Sequence, residues 1–178
     1  EKPFVKFERM LITAMATFPR SAAVFRESMQ RWITDKLWIK SMMSRELGIP
    51  SSKILFCDHH MSHAASSFFT SPYKKSAILT VDGAGEWSTA TLGIGDGNQI
   101  KLIKEMRFPH SLGLLYSAFT AYCGFEINEG EYKLMGMHPY GEPKYTKEIY
   151  ELLHVSEDGS LWQDLKYFAY HYSRDSTL

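Results

Sequence analysis

Ala77-Ile78-Leu79-Thr80-Val81-Asp82-Gly83-Ala84-Gly85-Glu86 is the stretch on which the fold turns. Its first five, mostly apolar residues read as a short strand, and the glycine-containing run from Asp82 stops it. Ser88-Thr89-Ala90-Thr91-Leu92-Gly93-Ile94 alternates like a second strand. Gly95-Asp96-Gly97-Asn98 is a turn signal, and residues 100–108 give a third strand. Consecutive strands with tight turns predict an antiparallel meander. Pro109-His110-Ser111 then opens a helix over 112–122, with Leu112, Leu115, Phe119 and Tyr122 on its apolar face. Ser111 stands in the N-cap position and Gly124 just beyond the end.

Upstream of the strands the apolar period is helical. Phe4, Phe7, Met10, Leu11 and Met15 predict a helix over 4–17, and Phe18-Pro19-Arg20-Ser21 breaks it. Residues 22–47 read as one further helix, whose Trp and Met positions are packing surface and whose charges line the wet side. Gly48-Ile49-Pro50 ends it, with Gly past the last turn and Pro beyond. Ile54-Leu55-Phe56 is a short strand signal. Residues 143–172 read as helical or irregular, with Trp162, Tyr167, Phe168, Tyr170 and Tyr172 clustered there as packing surface for a part of the protein outside this chain. The chain thus divides into a helical lead-in over 1–50 and an α/β body over 51–178. Its ends, Glu1-Lys2-Pro3-Phe4 and Arg174-Asp175-Ser176-Thr177-Leu178, suggest a piece of a longer protein.

Composition narrows the class. Hydrophobic residues are 44% of the 178, enough for a substantial core and too many for global disorder. Twenty Lys and Arg balance twenty Asp and Glu, which gives no support for a nucleic-acid binder working by bulk charge. Cys57 and Cys123 are too few for a disulfide framework, and a reducing cytoplasm fits them. No uninterrupted apolar stretch is long enough to span a bilayer.

The chemistry gathers in Asp58-His59-His60-Met61-Ser62-His63-Ala64-Ala65, ahead of Phe68-Phe69. On a helix His59 and His63 project from one face, and His60 and His63, three apart, are able to share one too. Two imidazoles one turn apart suit a divalent cation, and Asp82 at the next strand end completes a three-ligand set with open positions. The same residues also suit a solvated helix start with Asp58 as N-cap, followed by a plain Asp-Gly turn. Both readings stand on spacing alone. The absence of Glu beside His59 argues against a hydrolase of the His-Glu-x-x-His kind. Further on, Asn128-Glu129-Gly130-Glu131-Tyr132-Lys133 offers Lys133 to a phosphate and Glu131 to a ribose or ammonium group, or else forms a solvated loop.

Strand–strand–strand–helix resembles the first half of a ribonuclease-H-like unit, paired in the actin/sugar-kinase-like ATPases. Four segments in order also resemble the carbamoyltransferases of the NodU/CmcH family. They are His59-His60-Met61-Ser62-His63-Ala64-Ala65-Ser66-Ser67-Phe68, Asp82-Gly83-Ala84-Gly85-Glu86, Phe108-Pro109-His110-Ser111-Leu112-Gly113-Leu114-Leu115-Tyr116-Ser117, and Gly130-Glu131-Tyr132-Lys133-Leu134-Met135-Gly136-Met137-His138-Pro139-Tyr140-Gly141.

The resemblance implies an α/β catalytic domain, a partial actin/sugar-kinase-like (ribonuclease-H-like) ATPase fold behind an N-terminal helical segment. ATP and carbamoyl phosphate would give a carbamoyl-adenylate, and the carbamoyl group would pass to a hydroxyl of a small-molecule or sugar acceptor. His59, His63 and Asp82 match the ligands of an iron or zinc-like divalent metal. Gly83, Gly85 and Glu86 match positions near nucleotide or phosphates. His60 and Lys133 match catalytic places, His60 beside the ligands or facing a phosphate and Lys133 assisting with anionic charge. The family's first phosphate loop would precede residue 1, and a further metal-binding Asp and a C-terminal domain would follow residue 178. Met137-His138 stands where the family more often has Leu-Ala. The expected partners are the acceptor and the C-terminal part of the same protein, in the cytoplasm, with no nucleic acid or membrane; a homodimer is compatible. The expected piece does not turn over alone. The competing expectation is a non-catalytic metal- or nucleotide-binding module of the same fold.

Overall fold

Hydrogen-bond periodicity organises the chain into helices first and a sheet second. A computed structural model describes residues 2–174; the expectation for the chain end falls on 175–178, outside the described residues. Helix α1 spans Pro3–Ala16, α2 Ala22–Arg31 and α3 Ile39–Leu47. Pro3 opens α1, where its missing N–H costs nothing. Gly48 ends α3 with φ 64°, the left-handed turn that glycine adopts freely.

The single helix expected over 22–47 is broken. Trp32–Lys36 is a π-helical turn, in which Leu37 N–H donates to the Trp32 carbonyl at 2.9 Å. The wider turn comes where Trp32 packs onto α1. Its ring lies 5.8 Å from Phe4 and 4.8 Å from Phe7, and its Nε1 donates to the Pro3 carbonyl at 3.2 Å. Ile54-Leu55-Phe56 is extended but unpaired, and among the described residues no strand lies beside it.

Helix α4 (His59–Phe68) leads to β1 (Lys75–Gly85), β2 (Ser88–Asp96) and β3 (Gln99–Arg107). These form the expected antiparallel meander in the order β1-β2-β3. Their register runs Leu79↔Leu92 and Ile94↔Lys101. α4 seats Ala64 and Phe68 on Ile78, with Ile100 and Leu102 beside them. Gly95 admits the Phe68 ring, since a Cβ there would stand 2.5 Å from it. Side chains of the opposite parity, Leu79, Val81, Leu92 and Ile94, are exposed.

The Asp82-Gly83-Ala84-Gly85 run, expected as a turn, is the bulged end of β1. Pairing jumps from Val81↔Ala90 to Gly85↔Ser88, so Asp82, Gly83 and Ala84 have no strand partner. The turn proper is Glu86-Trp87, with Glu86 at φ 56°.

Helix α5 (Leu112–Tyr122) is capped as expected, the Ser111 hydroxyl accepting the Leu114 N–H at 3.0 Å. Its buried face is Leu115, Ala118 and Thr120, whereas the expected Leu112 and Tyr122 are exposed. α6 spans Glu131–Met137 and α7 Thr146–Leu152. Two strands missed in the sequence, β4 (Leu153–Val155) and β5 (Leu161–Gln163), form an antiparallel hairpin. Leu153, Leu161 and Phe168 pack against Leu115 and Ala118, so part of the aromatic cluster is internal core rather than a surface awaiting a partner. The architecture is mixed α/β, with N-terminal helices and a small antiparallel sheet. Cys57 and Cys123 are free and exposed. Among the described residues no helix is long and apolar enough to cross a membrane.

Candidate metal centre

The period of α4 fixes the first two groups. His59 and His63 lie one turn apart with ring centroids 4.6 Å apart, and their Nε2 atoms approach to 2.9 Å. β1 supplies the third. Its bulge turns Asp82 toward α4, so that Oδ2 contacts His59 Nε2 closely and lies 3.3 Å from His63 Nε2. One ligand atom from each of the three residues falls within a 4.8 Å cluster, and all three side chains reach solvent. Burial pushes the Asp82 carboxyl up, but the Gly83 N–H at 2.7 Å and the two imidazoles outweigh it and hold it below its ordinary range. Asp82 is therefore a carboxylate at neutral pH.

These donors fit a divalent cation. Bonds of about 2.1 Å to nitrogen or carboxylate oxygen separate neighbouring ligand atoms by about 3.0–3.4 Å. The His59–His63 Nε2–Nε2 and His63 Nε2–Asp82 Oδ2 separations of 2.9 and 3.3 Å are close to that spacing, whereas His59 Nε2 and Asp82 Oδ2 stand closer than two ligands of one cation and would part to admit it.

The start of α4 is held from across the chain. Asp58, expected as N-cap, makes no capping bond with its side chain and pairs instead with Lys2 Nζ at 2.7 Å. Glu86 does the capping: its Oε2 accepts the His59 N–H at 3.2 Å and its Oε1 the Lys2 N–H at 2.5 Å. Its carboxylate beside a helix N-terminus also complements the helix dipole. Gly85 makes room for the ligand above it, since a Cβ there would stand 2.2 Å from the His59 ring. At Gly83 a Cβ would meet only Leu114, at 3.6 Å. Thus Gly83, Gly85 and Glu86 sit beside the cluster, Gly85 and Glu86 in direct contact with His59.

His60 faces the other way. It is buried, and its ring turns into the sheet rather than sharing the exposed face of His63. Its Nε2 donates to the Ser88 carbonyl at 2.8 Å. Nδ1 accepts from Thr80 Oγ1 at 2.6 Å, and Thr80 Oγ1 accepts from Thr91 Oγ1 at 2.7 Å. Burial lowers its pKa against the opposing Ser88 bond, so the ring is neutral and pins α4 to β1 and β2. Lys133 is exposed on α6 with its Nζ 5.8 Å from the Tyr132 ring. Among the described residues no hydrogen bond or ion pair joins it to His59, His63 or Asp82. Glu131 is used locally, accepting the Asn128 N–H at 3.0 Å and the Ser117 hydroxyl at 2.9 Å.

Two imidazoles and a carboxylate at a helix–sheet junction define a candidate cation centre on an α/β scaffold. The family described as carbamoyltransferase N-terminus matches residues 1–177, and the chain belongs to it. An uncharacterized protein of Synechocystis sp., sll1178, is 49% identical over 178 aligned residues, covering 96% of this chain and 29% of that protein. The nodulation protein NolNO of Sinorhizobium fredii is 37% identical over 118 residues, covering 65% of this chain and 17% of its own length. The nodulation protein NolO of Bradyrhizobium diazoefficiens is 35% identical over 100 residues, covering 54% and 18%. The chain therefore spans less than a third of these relatives.

Proposed function

We propose that this chain is the N-terminal catalytic part of an O-carbamoyltransferase holding an iron or zinc-like divalent cation at His59, His63 and Asp82. In this reading water hydrolyses carbamoyl phosphate to carbamate and inorganic phosphate, and a carbamate oxygen attacks the α-phosphate of ATP to give a carbamoyl-adenylate with pyrophosphate as leaving group. The carbamoyl group then passes to a hydroxyl of a small-molecule or sugar acceptor. The observation that carries the reading is the meeting of three ligand atoms from α4 and β1 within 4.8 Å, in a chain of the carbamoyltransferase N-terminal family.

When bound, the cation polarises phosphate or carbamoyl oxygens as a Lewis acid. The protein's own part is to hold the donors ready. Asp82 stays ionised, Glu86 fixes the first turn of α4 that bears His59, and the buried His60 keeps that helix against the sheet. Gly83 and Gly85, beside the cluster, lie where nucleotide phosphates would approach, and Lys133 brings a positive charge to them when the rest of the protein is in place. The meander with α5 is read as the first half of a ribonuclease-H-like unit of the actin/sugar-kinase type, in a catalytic body over 51–178 behind a lead-in over 1–50. The remaining nucleotide contacts and the acceptor pocket come from the C-terminal part of the same protein, working in the cytoplasm.

The test uses full-length protein. Metal analysis is expected to find about one divalent cation per chain, and carbamoyl phosphate is expected to stimulate pyrophosphate release from ATP. His59→Ala/His63→Ala should lose both while keeping its far-ultraviolet circular dichroism. Turnover that persists in the metal-free double variant would remove the cation from the mechanism. A wild type that binds the cation and ATP but releases no pyrophosphate would favour a non-catalytic module.

A further inference from the structure

The bulge that carries Asp82 is gripped from behind by groups far along the chain. Asp82, Gly83 and Ala84 have no partner on β2, so their main chain needs another support. Ser111 supplies it: its hydroxyl donates toward the carbonyl oxygens of Gly83, at 2.7 Å, and Asp82, at 3.1 Å. Gly113 brings the start of α5 so near that a Cβ would stand 2.6 Å from the Asp82 carbonyl carbon and oxygen.

Ser111 is itself fixed by β5. Its N–H donates to Gln163 Oε1 at 2.5 Å, and the Tyr170 hydroxyl donates to the same oxygen at 3.2 Å. The Gln163 N–H donates to His110 Nδ1 at 3.1 Å, a second tie to the same junction. Ser111 and Gln163 have no exposed surface. The Gln163 amide has one sensible orientation, because turning it over would set its NH2 against the Ser111 N–H. Loss of that oxygen leaves a buried N–H unpaired at the point where α5 holds the bulge.

We propose that Gln163 is a positioning residue for the cation centre, acting through Ser111 on the main chain of Asp82. The inference rests on the reading of His59, His63 and Asp82 as cation ligands. It makes a hairpin 81 positions from Asp82 in sequence a determinant of cation affinity.

Cobalt(II) is the probe, titrated into full-length protein and followed by its visible absorption band, which reports ligand geometry. Gln163→Met, which keeps length but removes the acceptor, is expected to weaken cobalt binding about tenfold and to shift the band. Ser111→Ala is expected to do the same and carries the test if Gln163→Met does not fold. Gln163→Glu, which keeps an acceptor oxygen for the Ser111 N–H, should bind cobalt more tightly than Gln163→Met. Ala121→Gly, which loosens α5 away from the core that seats β4 and β5, should leave affinity and band unchanged. The proposal fails if Gln163→Met and Ser111→Ala bind cobalt like wild type, or if Ala121→Gly weakens it as much as they do. If wild type shows no cobalt binding that His59→Ala/His63→Ala abolishes, the cation centre itself is absent and the proposal falls with it.

Discussion

Helices α1 to α3 and helix α4 carry the same kind of periodic apolar signal, yet they end in opposite environments. Among the described residues up to 50, only Ser21 and Trp32 are buried, while Phe4, Met15, Phe18, Trp38 and Leu47 are exposed. The ten residues of α4 bury His60, Ala64 and Phe68. The difference lies in what each helix rests on. α4 lies against a three-stranded sheet whose Ile78, Ile100 and Leu102 meet it. The lead-in helices pack on one another and meet the body through side chains such as Glu8 at Trp87 and Arg9 over the Phe108 ring, and among the described residues much of their apolar face is uncovered. Periodicity therefore specifies a helix, and burial is decided by the neighbour.

That contrast can be broken at several points. The largest effect is expected in the α4 core: Phe68→Ala should cost about 3–5 kcal/mol by urea denaturation, because the ring fills the space that Gly95 leaves. A loss under about 1 kcal/mol would show that α4 is not seated by that ring. In the lead-in, Trp32→Ala should cost about 3 kcal/mol, read as faster amide exchange in α1 and α2, while cation affinity stays unchanged. A tenfold weakening of the cation would join the two regions. Glu86→Ala should cost about 1 kcal/mol by removing the acceptor at the start of α4, and should weaken the cation severalfold. An unchanged melting curve and affinity would return the capping role to Asp58.

The smallest effect is one of pH. Burial pushes His110 below its ordinary pKa, and its Nδ1 already accepts the Gln163 N–H. The unfolded chain takes up this proton near pH 6.5, whereas the folded chain does so only at lower pH. Between those values the unfolded state binds more protons, so stability falls as pH drops below about 6.5. His60 and His171 are shifted in the same direction. Urea midpoints should decline from pH 7.5 to 5.5, less steeply in His110→Gln; equal wild-type midpoints would contradict the assignment.

Features written in adjacent residues were legible in the sequence. The meander, α1, the Ser111 cap and the left-handed Gly48 follow from short patterns with direct backbone causes. The shared face of His59 and His63 follows from the helical period alone. Features that depend on a distant partner were not legible. The hairpin β4–β5 has strands of three residues, too short to display alternation. The π turn at Trp32 answers to Phe4 and Phe7 on another helix. Asp58 directly precedes α4, the N-cap place in sequence, but the side chain that reaches the His59 N–H lies 27 positions away. Gln163 gave no local signal, since its partner Ser111 is 52 positions distant.

Glu86 sits in a backbone conformation, φ 56°, that suits glycine or asparagine better and costs a side-chain-bearing residue about 1 kcal/mol. It is kept there by what its carboxylate does for Lys2 and His59. Glycine would relax the turn while untying the helix above it. Selection of random substitutions at this position for heat tolerance and for metal retention should accordingly enrich different amino acids.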